Sequence, residues 1–129
     1  MFKRIKGFTL VEIMMVVAII ALLATIAIPN LLRAKITANQ SSAQAILKTI
    51  STALETYASS NGNYPTATTL LLGAPPYLNK DYFNGTYNGY DFIATFNSSS
   101  YSVLAVPATP SQGTTSYTIS TGAVLSTNP

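Results

Sequence analysis

Residues 8–28 read FTLVEIMMVVAIIALLATIAI, with Thr9, Glu12 and Thr25 the only polar side chains, and Pro29 follows. As a helix these 21 residues extend roughly 32 Å at about 1.5 Å per residue, enough to cross the hydrocarbon core of a bilayer. A helix that is apolar all round cannot be satisfied by a chain of 129 residues, whose own core needs only one apolar stripe from it. The segment must therefore be covered by lipid or by the helices of other copies. Ahead of it stands MFKRIKG, with Lys3, Arg4 and Lys6, and no further base occurs until Arg33. This bias predicts a cytoplasmic N-terminus and a single membrane pass.

The same three bases account for the formal net charge of +3. Beyond Gly7, Arg33, Lys35, Lys48 and Lys80 are balanced by Glu12, Glu55, Asp81 and Asp91. A body without excess charge or a basic stripe argues against specific nucleic-acid binding. With no Cys there is no disulfide framework or thiol nucleophile, and with no His the commonest general base is absent. The few carboxylates and the lack of a Gly-rich phosphate motif make an enzyme improbable, and no cofactor is expected.

A secretory signal peptide has a shorter apolar core and a small-residue cleavage site after it. Here the run is long and continues into an amphipathic helix. Glu12 is the unusual residue, because a carboxylate in an apolar helix is costly unless paired. It stands one helical turn from Phe8, and a free amine at Phe8 would be a natural counter-charge.

Lys6-Gly7 followed by Phe8-Thr9-Leu10-Val11-Glu12 resembles the prepilin signal of type IV pilins and type II secretion pseudopilins, and the run from Gly7 to about Lys35 fits that family's N-terminal pattern. The resemblance implies a leader peptide over 1–7, cleaved between Gly7 and Phe8 by a prepilin peptidase that then N-methylates Phe8. It implies that Glu12 pairs with the Phe8 amine of an adjacent subunit during assembly. It also implies that Pro29, which lacks an N–H and crowds the preceding turn, marks a kink or an unwinding point.

From Asn30 to about Ser59 there is no Gly or Pro. Ile36, Ala43, Ile46, Leu47, Ile50, Ala53, Leu54 and Tyr57 recur at helical spacing, and Asn61-Gly62 supplies a stop. If Pro29 only bends it, a helix over 8–59 would be roughly 78 Å long. All eight Tyr residues lie at or beyond Tyr57, where the texture changes. Asn61-Gly62-Asn63-Tyr64-Pro65 reads as a turn, 66–72 as a short helix, and Asn84-Gly85 and Asn88-Gly89 as turn dipeptides. Strands are expected over 90–96 and 101–106, with a last hairpin from 116–120 and 123–126 around Thr121-Gly122.

The expected architecture is thus α+β and pilin-like. A long N-terminal helix, transmembrane in its first half, packs on an antiparallel sheet of three to four strands. The divisions are a leader (1–7), an assembly helix (8–29), its amphipathic continuation (30–60) and a β-rich head (61–129).

The head departs from family patterns in having no disulfide and no Trp. The major pseudopilin's acidic calcium loop has no clear counterpart. Asp81 and Asp91, the only carboxylates of the head, are weak candidates for a calcium site completed by carbonyls, but read first as solvated or turn-capping groups, so no metal is expected. Residues 92–129 carry no charge and read as a neutral exposed sheet. Three triplets of N-glycosylation pattern, at Asn39, Asn84 and Asn97, weigh little.

Two functions follow from the resemblance. The first is a subunit of a type IV pilus-like filament, polymerised at an inner-membrane platform as a homo-oligomer or with other pilins. The second is a pseudopilin of a type II secretion system, forming a periplasmic pseudopilus. A further alternative, from another class, is a membrane-anchored binding module that never polymerises.

Overall fold

The computed structural model describes residues 1–128. One α-helix, α1, runs from Leu10 to Asn61, and the helical path is continuous through Pro29. A single 3₁₀ turn follows at Thr68–Leu70, shorter than the helix expected over 66–72. The chain then forms β1 (Thr86–Tyr87), β2 (Tyr90–Asn97), β3 (Ser100–Pro107), β4 (Ser116–Ser120) and β5 (Val124–Asn128). These make one antiparallel meander in the order β1-β2-β3-β4-β5.

The sheet has five strands, which corrects the expected three to four. The additional strand is β1, joined to β2 by the Asn88-Gly89 turn. Asn88 has φ 50° and Gly89 φ 79°, the backbone a two-residue hairpin requires, and Asn and Gly are the residues that tolerate it. A two-residue strand is too short to show an alternating pattern, so only its turn was visible in the sequence.

The chain divides into two compact units, 1–34 and 35–129. In the first, the large apolar side chains of α1 face outward without exception: Leu10, Met14, Val16, Ile20, Leu23 and Ile28 are all at least half exposed. In the second, the helix buries Ala43, Leu47, Ile50, Ala53 and Leu54 against the inward face of the sheet, formed by Tyr90, Phe92, Tyr101, Val103, Ala105, Tyr117 and Ile119. Strand alternation selects that face: Phe92 is paired with Ala105 and Val103 with Ile119, while Ile93 and Leu104 lie on the other side. Leu71 and Leu78 close one side of this core. Fully burying a Leu or Ile here contributes roughly 1.5–3 kcal/mol.

Candidate functional site

Two of the three polar residues of the apolar segment, Thr9 and Glu12, meet at the start of α1. The backbone N–H of Thr9 donates to Glu12 Oε2 at 2.7 Å, and the Thr9 hydroxyl donates to the same oxygen at 2.9 Å. In return the Glu12 N–H donates to Thr9 Oγ1 at 3.2 Å. This is a reciprocal capping box, with Thr9 at the N-cap and Glu12 at the third helical position. It satisfies two helix N–H groups that would otherwise lack partners, and it sets the carboxylate at the positive end of the helix dipole. Glu12 borders an apolar depression lined by Phe8, Ile13, Met15, Val16 and Ile19.

Glu12, for which the sequence suggests a charged partner, is hydrogen-bonded within the chain by Thr9. The signal was present as Thr9-Leu10-Val11-Glu12, a threonine three positions before a glutamate at the head of an apolar run. Phe8 lies just before the cap and is 86% exposed. Gly7 precedes it, with nothing within 4 Å of where a Cβ would stand, and Lys3, Arg4 and Lys6 lie exposed upstream. The helix runs on past Pro29, and Thr25, four residues before it, donates its hydroxyl back to the Ala21 carbonyl at 2.8 Å.

A second polar cluster, in the other unit, had no sequence signal. Glu55 Oε1 accepts from the Tyr101 hydroxyl at 3.1 Å and from the Gly122 N–H at 3.1 Å. The Tyr64 hydroxyl donates to Glu55 Oε2 at 3.0 Å. Ser51 Oγ lies 2.8 Å from the Tyr101 hydroxyl, and the Tyr64 and Tyr101 rings meet edge to face at 5.0 Å. One helical carboxylate thus ties the turn after α1, strand β3 and the β4–β5 loop together. Burial, then Glu55, pushes the Tyr64 phenol up; burial likewise raises that of Tyr101, partly offset by Ser51.

Asp81 caps a local turn, and Asp91 bridges β2 to β1. Asp81 Oδ1 accepts from the Phe83 N–H at 2.9 Å, and Asp91 Oδ1 from the Thr86 hydroxyl at 2.6 Å. Among the described residues no group of three or more His, Cys, Asp or Glu is assembled for a metal ion. Nearby, Lys80 holds its ammonium 4.3 Å from the centre of the Tyr87 ring.

α1 is long and apolar enough to cross a membrane, and its most apolar stretch is wholly unburied. The family model for the prokaryotic N-terminal methylation motif matches residues 2–28. The chain is 35% identical over 110 residues to the type IV wide pilus major component of Thermus thermophilus, covering 81% of this chain and 84% of the relative. It is 46% identical over 61 residues to the type IV major pilin protein of Myxococcus xanthus, covering 47% of this chain and 28% of that one. It is 39% identical over 64 residues to the type II secretion system core protein G of Aeromonas hydrophila, covering 50% of this chain and 45% of the relative. The chain therefore spans less than half the length of the last two. With a methylation motif at its head and a pilus component matched along most of its length, the chain belongs to the family of type IV pilins and type II secretion pseudopilins.

Proposed function

We propose that this chain is a structural subunit of a type IV pilus-like filament. A prepilin peptidase cleaves it between Gly7 and Phe8 on the cytoplasmic side of the inner membrane and methylates the new amine. The single observation that carries this reading is the division of α1. Its first half exposes every large apolar side chain, and its second half is committed to the core of its own sheet. Such a helix is incomplete until lipid or sister helices cover it.

Each residue then has a role. Lys3, Arg4 and Lys6 orient insertion and leave with the leader. The exposed Gly7–Phe8 junction, ahead of the helix cap, is open to a peptidase. Thr9 holds Glu12 within the chain while the segment is in lipid. On assembly the methylated amine of Phe8 from a neighbouring subunit takes up the Glu12 carboxylate and sets axial register. Pro29 is the point at which α1 can bend or unwind as subunits pack. The inner-membrane assembly platform and other pilins are the partners this requires.

The pilus is favoured over the type II secretion pseudopilus because the relative matched along most of both chains is a pilus component. The pseudopilin reading rests on the shorter matches to core protein G. The test is to shear filaments from the surface of the native cells and weigh the subunit. The expected mass is that of residues 8–129 with a methyl group on Phe8, and Gly7→Glu abolishes both cleavage and filaments. Surface filaments lacking this chain, or a normally cleaved Gly7→Glu variant, would refute the assignment.

A further inference from the structure

The sequence holds three Asn-Gly pairs, Asn61-Gly62, Asn84-Gly85 and Asn88-Gly89, and the fold treats them unequally. In such a pair the glycine backbone nitrogen, unshielded by a Cβ, can attack the asparagine side-chain carbonyl carbon. A nitrogen–carbon bond forms, ammonia leaves, and a five-membered imide results. Water then opens the imide at either carbonyl, giving aspartate or isoaspartate. In balance, a carboxamide and one water become a carboxylate and an ammonium ion. The reaction needs a side chain free to rotate, a glycine nitrogen free to approach it, and a backbone that can move.

Two of the pairs lack these freedoms. At Asn61 the attacking Gly62 N–H is engaged with the Ala58 carbonyl at 2.8 Å, and the Asn61 amide donates to the Tyr57 carbonyl at 3.0 Å. At Asn88 the side-chain amide donates to Ser42 Oγ at 2.6 Å. Gly89 is packed so closely that a Cβ on it would lie 2.7 Å from Gln112 Cβ, and its carbonyl accepts from the Ala108 N–H at 2.9 Å. The third pair is different. Asn84 and Gly85 are both exposed, Gly85 has φ 115° with open space around it, and among the described residues no hydrogen bond holds the Asn84 amide.

We propose that Asn84 is a site of spontaneous deamidation in the folded protein, while Asn61 and Asn88 keep their amides. Conversion adds a third carboxylate to the stretch that holds Asp81 and Asp91 against the single base Lys80. Isoaspartate also lengthens the backbone two residues before β1 begins at Thr86. The head therefore gains negative charge with age, at a place remote in sequence from the residues that govern processing.

The experiment uses the full chain in detergent micelles, incubated at mildly alkaline pH and followed by peptide mapping with mass spectrometry. The Asn84 peptide is expected to gain the mass of an amide-to-acid conversion and to split into two isomers, with the Asn61 and Asn88 peptides unchanged. In denaturant all three peptides convert, and Asn84→Ser removes the conversion from the folded chain. Equal conversion of the three pairs in the folded chain would overturn the proposal. So would an Asn84 amide that persists in the folded chain while all three convert in denaturant.

Discussion

The helix carries two carboxylates, one in each unit, and they are satisfied in opposite ways. Glu12 is held by Thr9, three residues away, in a region whose large apolar side chains face outward. Glu55 is held by Tyr64, Tyr101 and the Gly122 backbone, up to 67 residues away, beside a core whose apolar side chains face inward. A locally capped carboxylate can exchange partners without disturbing a fold, because the groups that hold it belong to its own helical turn. One that joins three segments cannot be released without loosening all of them. The same residue type is thus held by its own helical turn in one region and by distant segments in the other.

The comparison can be broken at several points. The largest effect is expected for Glu12→Ala: surface filaments are lost while thermal unfolding of the head, followed by the near-ultraviolet signal of its tyrosines, stays where it was. Filaments at normal abundance would end the argument that Glu12 is an assembly contact. Next, Leu47→Ala should cost the head about 2–5 kcal/mol by leaving a cavity in its core. Leu22→Ala, at a position 66% exposed, should change head stability by less than about 0.5 kcal/mol. Similar losses from the two would show that the units are not organised oppositely.

Glu55→Ala removes the acceptor of two phenols and one backbone N–H and should destabilise the head by about 1–3 kcal/mol. Glu55→Gln keeps a carbonyl acceptor and should recover part of that loss in the same denaturation assay. The pH dependence follows from the phenols. Burial, the first cause in each case, raises Tyr64, Tyr90 and Tyr101 above the ordinary 10.0. The unfolded chain therefore releases these protons first. Stability is complete below about pH 10 and declines as pH rises through the higher folded-state values. A melting temperature that is flat or rising across that range would contradict the placement of these rings. A smaller gain is expected at Ala123, which sits at φ 60° after Gly122 in the β4–β5 loop. Ala123→Gly should stabilise the head by about 0.5–1 kcal/mol in equilibrium unfolding, since only glycine adopts that backbone freely.

The elements differ in how far they could be read from sequence. Helix α1 was expected over 8–59 and runs over Leu10–Asn61, because a long apolar run followed by helical spacing admits no other period. Strands β2 to β5 fall on the segments whose alternation or turn residues marked them. Strand β1 was missed because Thr86 and Tyr87 are too few to show a period, and they pair only because the Asn88-Gly89 turn folds them onto β2. At the candidate site Glu12 stands out in sequence as a carboxylate in an apolar run, and Thr9, which hydrogen-bonds it, lies at the spacing of a capping box. Glu55 was unreadable, since nothing in the chain near it indicates that Tyr64, Tyr101 and Gly122 arrive at its carboxylate.

The apolar segment, its charge bias, the long helix and the turns were therefore legible in the sequence alone. These follow from hydrophobic run length, helical or strand period and the backbone preferences of Asn, Gly and Pro, none of which need distant partners. The tertiary structure decided how the apolar stripe of the second helical half meets the sheet. It also decided that Glu55 closes the head, and that three identical Asn-Gly pairs have three different environments. Those outcomes depend on groups brought together across long stretches of chain, and their spacing in space is set by packing.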